Sequence, residues 1–191
     1  MTENLDYGFA PISYSTAKVL ILGSMPGQHS LQQQQYYAHP RNAFWPIMQQ
    51  IFGIDTQLPY QQRCQQLSHQ GIALWDVLMA CHRPGSLDQN IQTDSIIANP
   101  FGDFLNEHPQ IQCIFFNGGS AEQLFKKFVL AGLAPDQQAI RRLKLPSTSP
   151  THAAVNFDEK ARLWRQALTD IQALKHEAGT SAIDSNAGRA K

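Results

Sequence analysis

The sequence predicts an α/β fold in which a parallel sheet carries helices on both faces. Four short apolar segments have the composition of buried strands, and amphipathic segments of helical spacing lie between them. Strands that alternate with helices along a chain are typical of a parallel sheet buried on both sides. We therefore predict three layers, α/β/α, around a central four-stranded parallel sheet. A chain of 191 residues has the length of one such domain.

The four strand candidates are short apolar runs that end at small or polar residues. The first is KVLILG, which Gly23 ends, and the clearest is IQCIFFNGG. In chain order the candidates cover residues 18–23, 71–78, 111–119 and 140–146. Ligands of such sheets bind outside the carboxyl ends of the strands. The loops that follow the strands, which are GSMPG, the segment from Asp76 onward, NGGS and PSTSPTHA, are therefore expected to meet around one site.

Helices are predicted where apolar residues recur three and four positions apart. Gly53 can end the first helix and Gly71 the second, while Pro59 can open the second. The final helix is amphipathic and ends near Lys175. The predicted helices cover residues 43–52, 59–69, 120–130 and 158–175.

Composition is typical of a globular protein of the cytoplasm. Apolar residues make up 42% of the chain and charged residues 16%, and the net charge is zero. No apolar run approaches the roughly 18 residues of a membrane span, and the polar start MTENLDYGF does not resemble a signal peptide. We predict one domain over residues 1–175 and, because EAGTSAIDSNAGRAK is small and polar, a disordered tail over 176–191.

Charge and cysteine content limit the partners that the protein could have. Neutrality argues against broad wrapping of DNA but allows a small positive patch beside one pocket. The cysteines, Cys64, Cys81 and Cys113, are widely spaced and form no CxxC pair, so we expect buried thiols, no metal and no cofactor. Candidates for a positive patch are Arg41, Arg83, Lys126, Lys127, Arg141, Arg142 and Lys144.

The stretch GSMPGQHSLQQQQYYAHPRNAFW, residues 23–45, combines bare backbone with aromatic rings, an amide and a cation. It contains neither the dinucleotide fingerprint GxGxxG nor a P-loop. Each residue alone also has a structural explanation. Tyr37 could be a packing residue, and Asn42, just before the first predicted helix, could be its N-cap.

Taken together, these residues resemble the uracil-DNA glycosylase superfamily. The resemblance rests on GSMPG…YYAHPRNAFW and continues through LWDVLMACHRPGS, FFNGGSA and LPSTSPTHA, in the family's order over residues 19–153. It implies that Tyr37 stacks on a base flipped out of DNA and that Asp76 reads the edge of that base. A structural carboxylate that caps a turn is an equal alternative for Asp76. The last loop would pinch the DNA backbone and carry an intercalating wedge.

Two departures from the superfamily pattern point to one of its branches. Most branches carry Asp or Asn at the position of Met25, where it positions the attacking water, and His or Asn at the position of Leu145. Lacking both, the chain resembles the hypoxanthine (deoxyinosine) DNA glycosylase branch. Catalysis in that branch is associated with two asparagines, which map onto Asn42 and Asn117.

The resemblance implies a set of site residues with distinct roles. An amide is sufficient to orient water in a dissociative glycosidic cleavage, because the oxocarbenium-like sugar needs only a weak nucleophile. The implied catalytic residues are Asn42 and Asn117. The implied base-binding residues are Ser24, Met25, Pro26, Gly27, Tyr37, His39 and Asp76. The implied DNA-binding residues are Arg83, Ser147, Thr148, Ser149 and His152, although Arg83 could equally be a solvated loop residue and the Ser/Thr loop only a turn.

The predicted partner is double-stranded DNA that contains a deaminated base, bound by a monomer. No lysine occupies a motif position suited to a Schiff base, so we expect hydrolysis of the glycosidic bond without strand cleavage. Uracil or xanthine could replace hypoxanthine as the excised base, since uracil presents a similar donor beside an acceptor. Two other functions stay open at this point: a non-catalytic base-binding module and a hydrolase of free nucleosides.

Overall fold

The computed structural model describes residues 5–180, with side-chain surroundings described over residues 5–169. The strands are β1 (Asp6–Tyr7), β2 (Val19–Gly23), β3 (Ile72–Asp76), β4 (Leu78–Cys81), β5 (Ile97–Ala98), β6 (Cys113–Asn117) and β7 (Arg141–Leu145). The helices are α1 (Gln28–Gln33), α2 (Phe44–Phe52), α3 (Tyr60–His69), α4 (Phe101–Glu107), α5 (Gly119–Phe128), α6 (Pro135–Gln138) and α7 (Phe157–Thr180).

The predicted four-stranded parallel sheet is confirmed, with strand order β3-β2-β6-β7. The segments VLILG and IALWD are buried along their whole length, as their apolar composition requires for strands covered on both faces. The register pairs Gly23 with Asp76, and Asn117 with Leu145. The ends of the four strands therefore bring Gly23, Asp76 and Asn117 to the same edge of the sheet.

The second predicted strand, residues 71–78, is wrong in its extent. β3 ends at Asp76, and Leu78 begins β4, which pairs antiparallel with β1 and β5 in a small second sheet. Apolar composition continues unbroken through Val77 and Leu78, so the sequence gives no signal for the break. The break places Asp76 at the end of the main sheet.

Aromatic side chains form much of the core between sheet and helices. Trp45, Trp75 and Trp164 are buried. The helix α4, which the sequence did not predict, packs Phe101 and Phe104 against Trp75, with ring centroids 5.1 and 4.9 Å apart. This helix is short and contains a glycine, so its periodicity was too weak to recognise.

Other expectations concern the cysteines and the end of the chain. All three cysteines are free and buried, as predicted. The final helix continues to Thr180, past its predicted end near Lys175. Of the predicted disordered tail, residues 181–191 lie outside the described residues. No helix in the described part of the chain is long and apolar enough to cross a membrane.

Candidate active site

The loops at the carboxyl ends of the main sheet enclose a pocket of about 590 Å³. The four loops predicted to meet all contribute to its lining. Helix α1 and the segment before α2 complete the wall. The lining residues are 23–30, Tyr36, Tyr37, His39, Arg41, Asn42, Asp76, 86–89, 117–120 and 147–152. Of the site residues implied by the sequence, Arg83 alone is not among them.

Asp76 lies at the floor of the pocket, next to the backbone of Gly23. A Cβ atom on Gly23 would lie 2.2 Å from Asp76 Oδ1 and 3.3 Å from the Tyr37 hydroxyl, so only glycine leaves room for both groups. The Asp76 side chain is buried, and its Oδ2 has no hydrogen-bond partner among the described residues. An unpaired buried carboxylate oxygen is costly unless a ligand or water completes it. Asp76 is therefore free to accept a hydrogen bond from a bound molecule.

The charge on Asp76 depends on pH near neutrality. Burial raises the pKa of its carboxyl from 3.8 to about 7, the nearby Asp88 adds to the increase, and the Arg83 guanidinium opposes it. A carboxyl in this range exists as both acid and carboxylate at neutral pH. The group can therefore accept a hydrogen bond when ionised or donate one when protonated.

Tyr37 presents an aromatic ring to the same pocket. One face of the ring stacks on Phe44, with centroids 4.2 Å apart and planes 27° apart, and the residue keeps partial exposure. Its backbone has a φ of 56°, in the left-handed region that residues other than glycine rarely adopt. The hydroxyl is buried, and burial together with the charge of Asp76 raises the pKa of the phenol, while the neighbouring Asn117 amide opposes the increase. The phenol is thus a neutral group held next to Asp76.

Asn42 combines a capping contact with a position in the pocket wall. Its Oδ1 accepts a hydrogen bond of 3.0 Å from the backbone N–H of Phe44, the first residue of α2. The N-cap residue itself is Ala43, one position further than the sequence predicted, so Asn42 covers the start of the helix from the residue before the N-cap. Its Nδ2 donates to no described residue. The side chain therefore keeps an amide NH₂ group and one lone pair of Oδ1 for a ligand or a water molecule.

Asn117 joins the end of β6 to the last loop. Its Oδ1 accepts from the Thr148 backbone N–H at 2.8 Å, and its Nδ2 donates to the Thr148 hydroxyl at 2.9 Å. Thr148 is 1% exposed, and its carbonyl also accepts from the Ala43 backbone N–H. The structure does not present the Thr148 hydroxyl to a DNA phosphate as expected, because the residue is buried and its hydroxyl lies against the Asn117 amide. Asn117 positions the loop as well as lining the pocket.

Arg83 was expected to hold a DNA phosphate, and the structure contradicts this. Its side chain is 0% exposed. The guanidinium donates to the carbonyls of Met25 and Pro26 in the first loop and lies 3.6 Å from Asp88 Oδ1. A buried cation held in this way stabilises the first loop and cannot reach DNA without unfolding.

Sequence reasoning missed the contribution of residues 83–88 to the pocket. Asp88 Oδ2 accepts a 2.7 Å hydrogen bond from the Ser24 hydroxyl, and the Ser86 hydroxyl accepts from the Gln28 backbone N–H at 3.0 Å. The segment RPGSLD therefore folds over the first loop and forms one rim of the pocket. The paired arginine and aspartate were the available signal, but pairing across a loop cannot be read from spacing alone.

The remaining implied residues also lie in the wall. His39 Nδ1 accepts from the Arg41 backbone N–H at 3.1 Å, and its ring lies 5.6 Å from the His29 ring. In the last loop the Ser149 hydroxyl bonds Thr151 at 2.8 Å, and Lys160 Nζ donates to the His152 carbonyl at 2.8 Å. The other lining residues named from the sequence are Ser24, Met25, Pro26, Gly27 and Ser147.

Substitution of Gly23 tests the packing of the pocket floor. Gly23→Ala is expected to destabilise the protein by roughly 1–3 kcal/mol, because the new methyl group would displace the Asp76 carboxylate. Gly27→Ala is the control, since the nearest atom to its Cβ is 3.7 Å away. Urea unfolding of both variants measures the effect. Equal midpoints for the two variants would contradict the described position of Asp76.

The structure is an α/β protein whose pocket lies at the carboxyl ends of its parallel strands and is lined by aromatic rings, amides and a buried carboxyl. The chain belongs to the uracil DNA glycosylase superfamily, whose model matches residues 11–172. This membership confirms the resemblance carried by the motifs.

The chain is also similar to individual proteins of known name. The chain is 39% identical over 112 residues to a protein of Methanosarcina barkeri named hypoxanthine DNA glycosylase, which covers 58% of this chain and 70% of the relative. A protein of the same name from Methanosarcina acetivorans is 36% identical over 115 residues, covering 60% and 72%. A solution NMR structure from Methanosarcina acetivorans, of a protein named as a candidate uracil DNA glycosylase, superposes with a TM-score of 0.69 at 29% identity, covering 85% of this chain and 98% of that one.

Proposed function

We propose that the protein is a DNA glycosylase that flips deoxyinosine out of duplex DNA and hydrolyses its glycosidic bond to release hypoxanthine. Family membership and the two relatives named hypoxanthine DNA glycosylase support this assignment. The enzyme would act as a monomer in the cytoplasm and would leave an abasic site without breaking the strand.

The observation that carries the proposal is the pairing of the Tyr37 ring with the unpartnered Asp76 carboxylate in one pocket. A flipped base needs a flat surface on which to stack and polar groups along its edge. Hypoxanthine presents an N1–H donor beside the O6 acceptor. Ionised Asp76 would accept from N1–H, and the backbone N–H groups of Ser24, Met25 or Gly27 would donate to O6 or N7.

The enzyme must also stabilise the departing base and the sugar cation that form during the reaction. The reaction passes through an oxocarbenium-like sugar, so the enzyme must hold a water near that carbon and stabilise negative charge on the departing base. Asn42 is the candidate for orienting the water, because its amide NH₂ and one lone pair remain available. Asn117 would act with it by holding the last loop and the base in place.

Contacts to the DNA backbone are assigned to the exposed rim of the pocket. Ser147, Ser149 and His152 would face phosphates from the last loop, and Arg41, an exposed cation of the lining, would add charge on the side of α2. These contacts would position the duplex without reading its sequence.

Incubation with duplexes that carry one modified base, followed by alkali, tests the proposal. Strand breaks at inosine after alkali, and none before it, are expected, because alkali cleaves the abasic product. Cleavage rates on duplexes with uracil, xanthine or mismatched thymine show which other bases the protein excises. Binding to inosine DNA without breaks would favour a non-catalytic module, and release of hypoxanthine from free inosine would favour a nucleoside hydrolase.

Tyr37 variants test the stacking role. Tyr37→Ala is expected to weaken binding to an inosine duplex by roughly 1–3 kcal/mol, because the ring face is lost. Tyr37→Phe should keep most of the activity, since the stacked ring remains on Phe44. Fluorescence anisotropy titrations measure both. Wild-type affinity in the alanine variant would remove Tyr37 from the base site.

Chelators are expected to leave the glycosylase activity unchanged. Within residues 5–169 no group of three His, Cys, Asp or Glu side chains could hold a metal ion. Cleavage of an inosine duplex should therefore proceed equally with and without EDTA. Activity that collapsed in EDTA and returned with zinc would show that a metal takes part.

A further inference from the structure

Leu87 is a large aliphatic side chain exposed at the rim of the pocket. It lines the pocket mouth and is 41% exposed. Among the described lining residues no other large hydrophobic side chain is exposed to this degree: Met25 and Tyr36 are buried and Tyr37 is partly covered by Phe44. The packing of the protein core does not account for a leucine in this position.

The loop that carries Leu87 is fixed from both sides. On one side Asp88 accepts from the Ser24 hydroxyl and pairs with buried Arg83. On the other side the Ser86 hydroxyl accepts from the Gln28 backbone N–H. The leucine is therefore presented to solvent by a rim whose position is fixed relative to the pocket.

The last loop, which also lines the pocket, offers no equivalent side chain. The last loop, residues 146–152, has the sequence PSTSPTH and contains no large aliphatic residue. Its Ser149 and Thr151 hydroxyls bond each other at 2.8 Å. The last loop therefore has no large aliphatic side chain to serve as the wedge that the family resemblance implies there.

Extrusion of a nucleotide leaves a gap in the base stack, and an apolar side chain that fills the gap offsets part of the unstacking cost. We propose that Leu87 enters the base stack of duplex DNA at the position that the flipped nucleotide leaves. This inference rests on the proposed glycosylase function. It assigns the wedge to the loop between β4 and β5 and leaves the last loop to contact the phosphates.

Cleavage rates on two duplexes distinguish a wedge role of Leu87 from a general role in the site. One carries inosine paired with cytosine, and the other carries inosine opposite an abasic analogue, where flipping is already easy. In single-turnover cleavage, Leu87→Ala should slow the paired substrate about tenfold and the unpaired substrate little. Leu87→Met should restore the wild-type ratio of the two rates, because its side chain is apolar and of similar length. Ile97→Ala is the matched control, since Ile97 is 40% exposed but lies outside the pocket lining.

The ratio of the two rates decides the outcome. An unchanged ratio in Leu87→Ala, with or without a lower absolute rate, would overturn the wedge assignment while leaving the glycosylase function intact. A ratio that shifted equally in Ile97→Ala would also overturn it. Wild-type protein that cleaved neither duplex would instead overturn the proposed function, and the wedge with it.

Discussion

Asp76→Asn is expected to abolish a pH dependence of stability that the wild-type protein shows between about pH 4 and pH 7. The wild-type carboxyl has its pKa raised from 3.8 to about 7 in the folded state. Between these values the folded protein binds a proton that the unfolded chain does not. The free energy of unfolding therefore falls as pH rises, by up to roughly 1.4 kcal/mol per pH unit, and levels off above the folded pKa.

Comparison of the two proteins isolates this contribution from all other titrating groups. Asparagine carries no proton to lose, so the variant should gain stability relative to wild type with each step from pH 4 to pH 7. Urea unfolding at five or six pH values measures the difference. A difference that stayed constant across this range would show that Asp76 titrates at its ordinary value.

The same titration should appear in catalysis if the carboxylate accepts a hydrogen bond from the base. Ionised Asp76 can accept from hypoxanthine N1–H, whereas the protonated acid has lost that charge. The kcat/KM for an inosine duplex should therefore fall as pH drops through about 7, the pKa of the carboxyl in the free enzyme. Asp76→Asn should have a lower kcat/KM with no such limb. A wild-type profile that is flat from pH 6 to pH 8 would contradict this role.

The main sheet and the location of the pocket could be predicted because both depend on local patterns. Apolar runs such as VLILG and IALWD define buried strands, and polar residues directly after them must gather at the carboxyl edge. The placement of Asp76 and Asn117 at this edge was predicted in this way, while their roles came from the family resemblance. The position of Tyr37 in the pocket could not be predicted from such patterns, because its left-handed backbone and its stacking on Phe44 form only in the folded chain. The motif resemblance supplied what spacing could not.

Predictions failed where a polar side chain has its partner far away along the chain. Arg83 and Thr148 were expected to contact DNA because a loop arginine and a loop hydroxyl can both donate to a phosphate. Arg83 instead pairs with loop carbonyls 57 and 58 positions away, and Thr148 with Asn117, 31 positions away. Such long-range pairs satisfy buried polar groups only in the folded chain. No local pattern in the sequence distinguishes them from exposed residues.

Asn42→Ala is expected to reduce the single-turnover rate on an inosine duplex by roughly 10²-fold or more, the size of effect seen when one preorganised polar group is removed. Met25 is apolar and buried, so it cannot hold the attacking water. Asn117 has both ends of its amide bonded to Thr148. Asn42 retains an unbonded NH₂ group in the pocket wall, so it is the stronger candidate for positioning the water.

The capping contact of Asn42 requires a second variant, because Asn42→Ala also removes the acceptor for the Phe44 N–H. Asn42→Ser keeps a side-chain oxygen that can accept from the Phe44 N–H but lacks the amide. Loss of the cap should lower the stability of the alanine variant by about 1 kcal/mol, while the serine variant stays near wild type. Both should lose cleavage to a similar extent and keep most of their affinity for inosine DNA, since stacking and phosphate contacts remain. If cleavage instead followed stability, with a slow or unstable alanine variant and a fully active serine variant, Asn42 would be only a cap, and Asn117 and His152 would become the candidates for positioning the water.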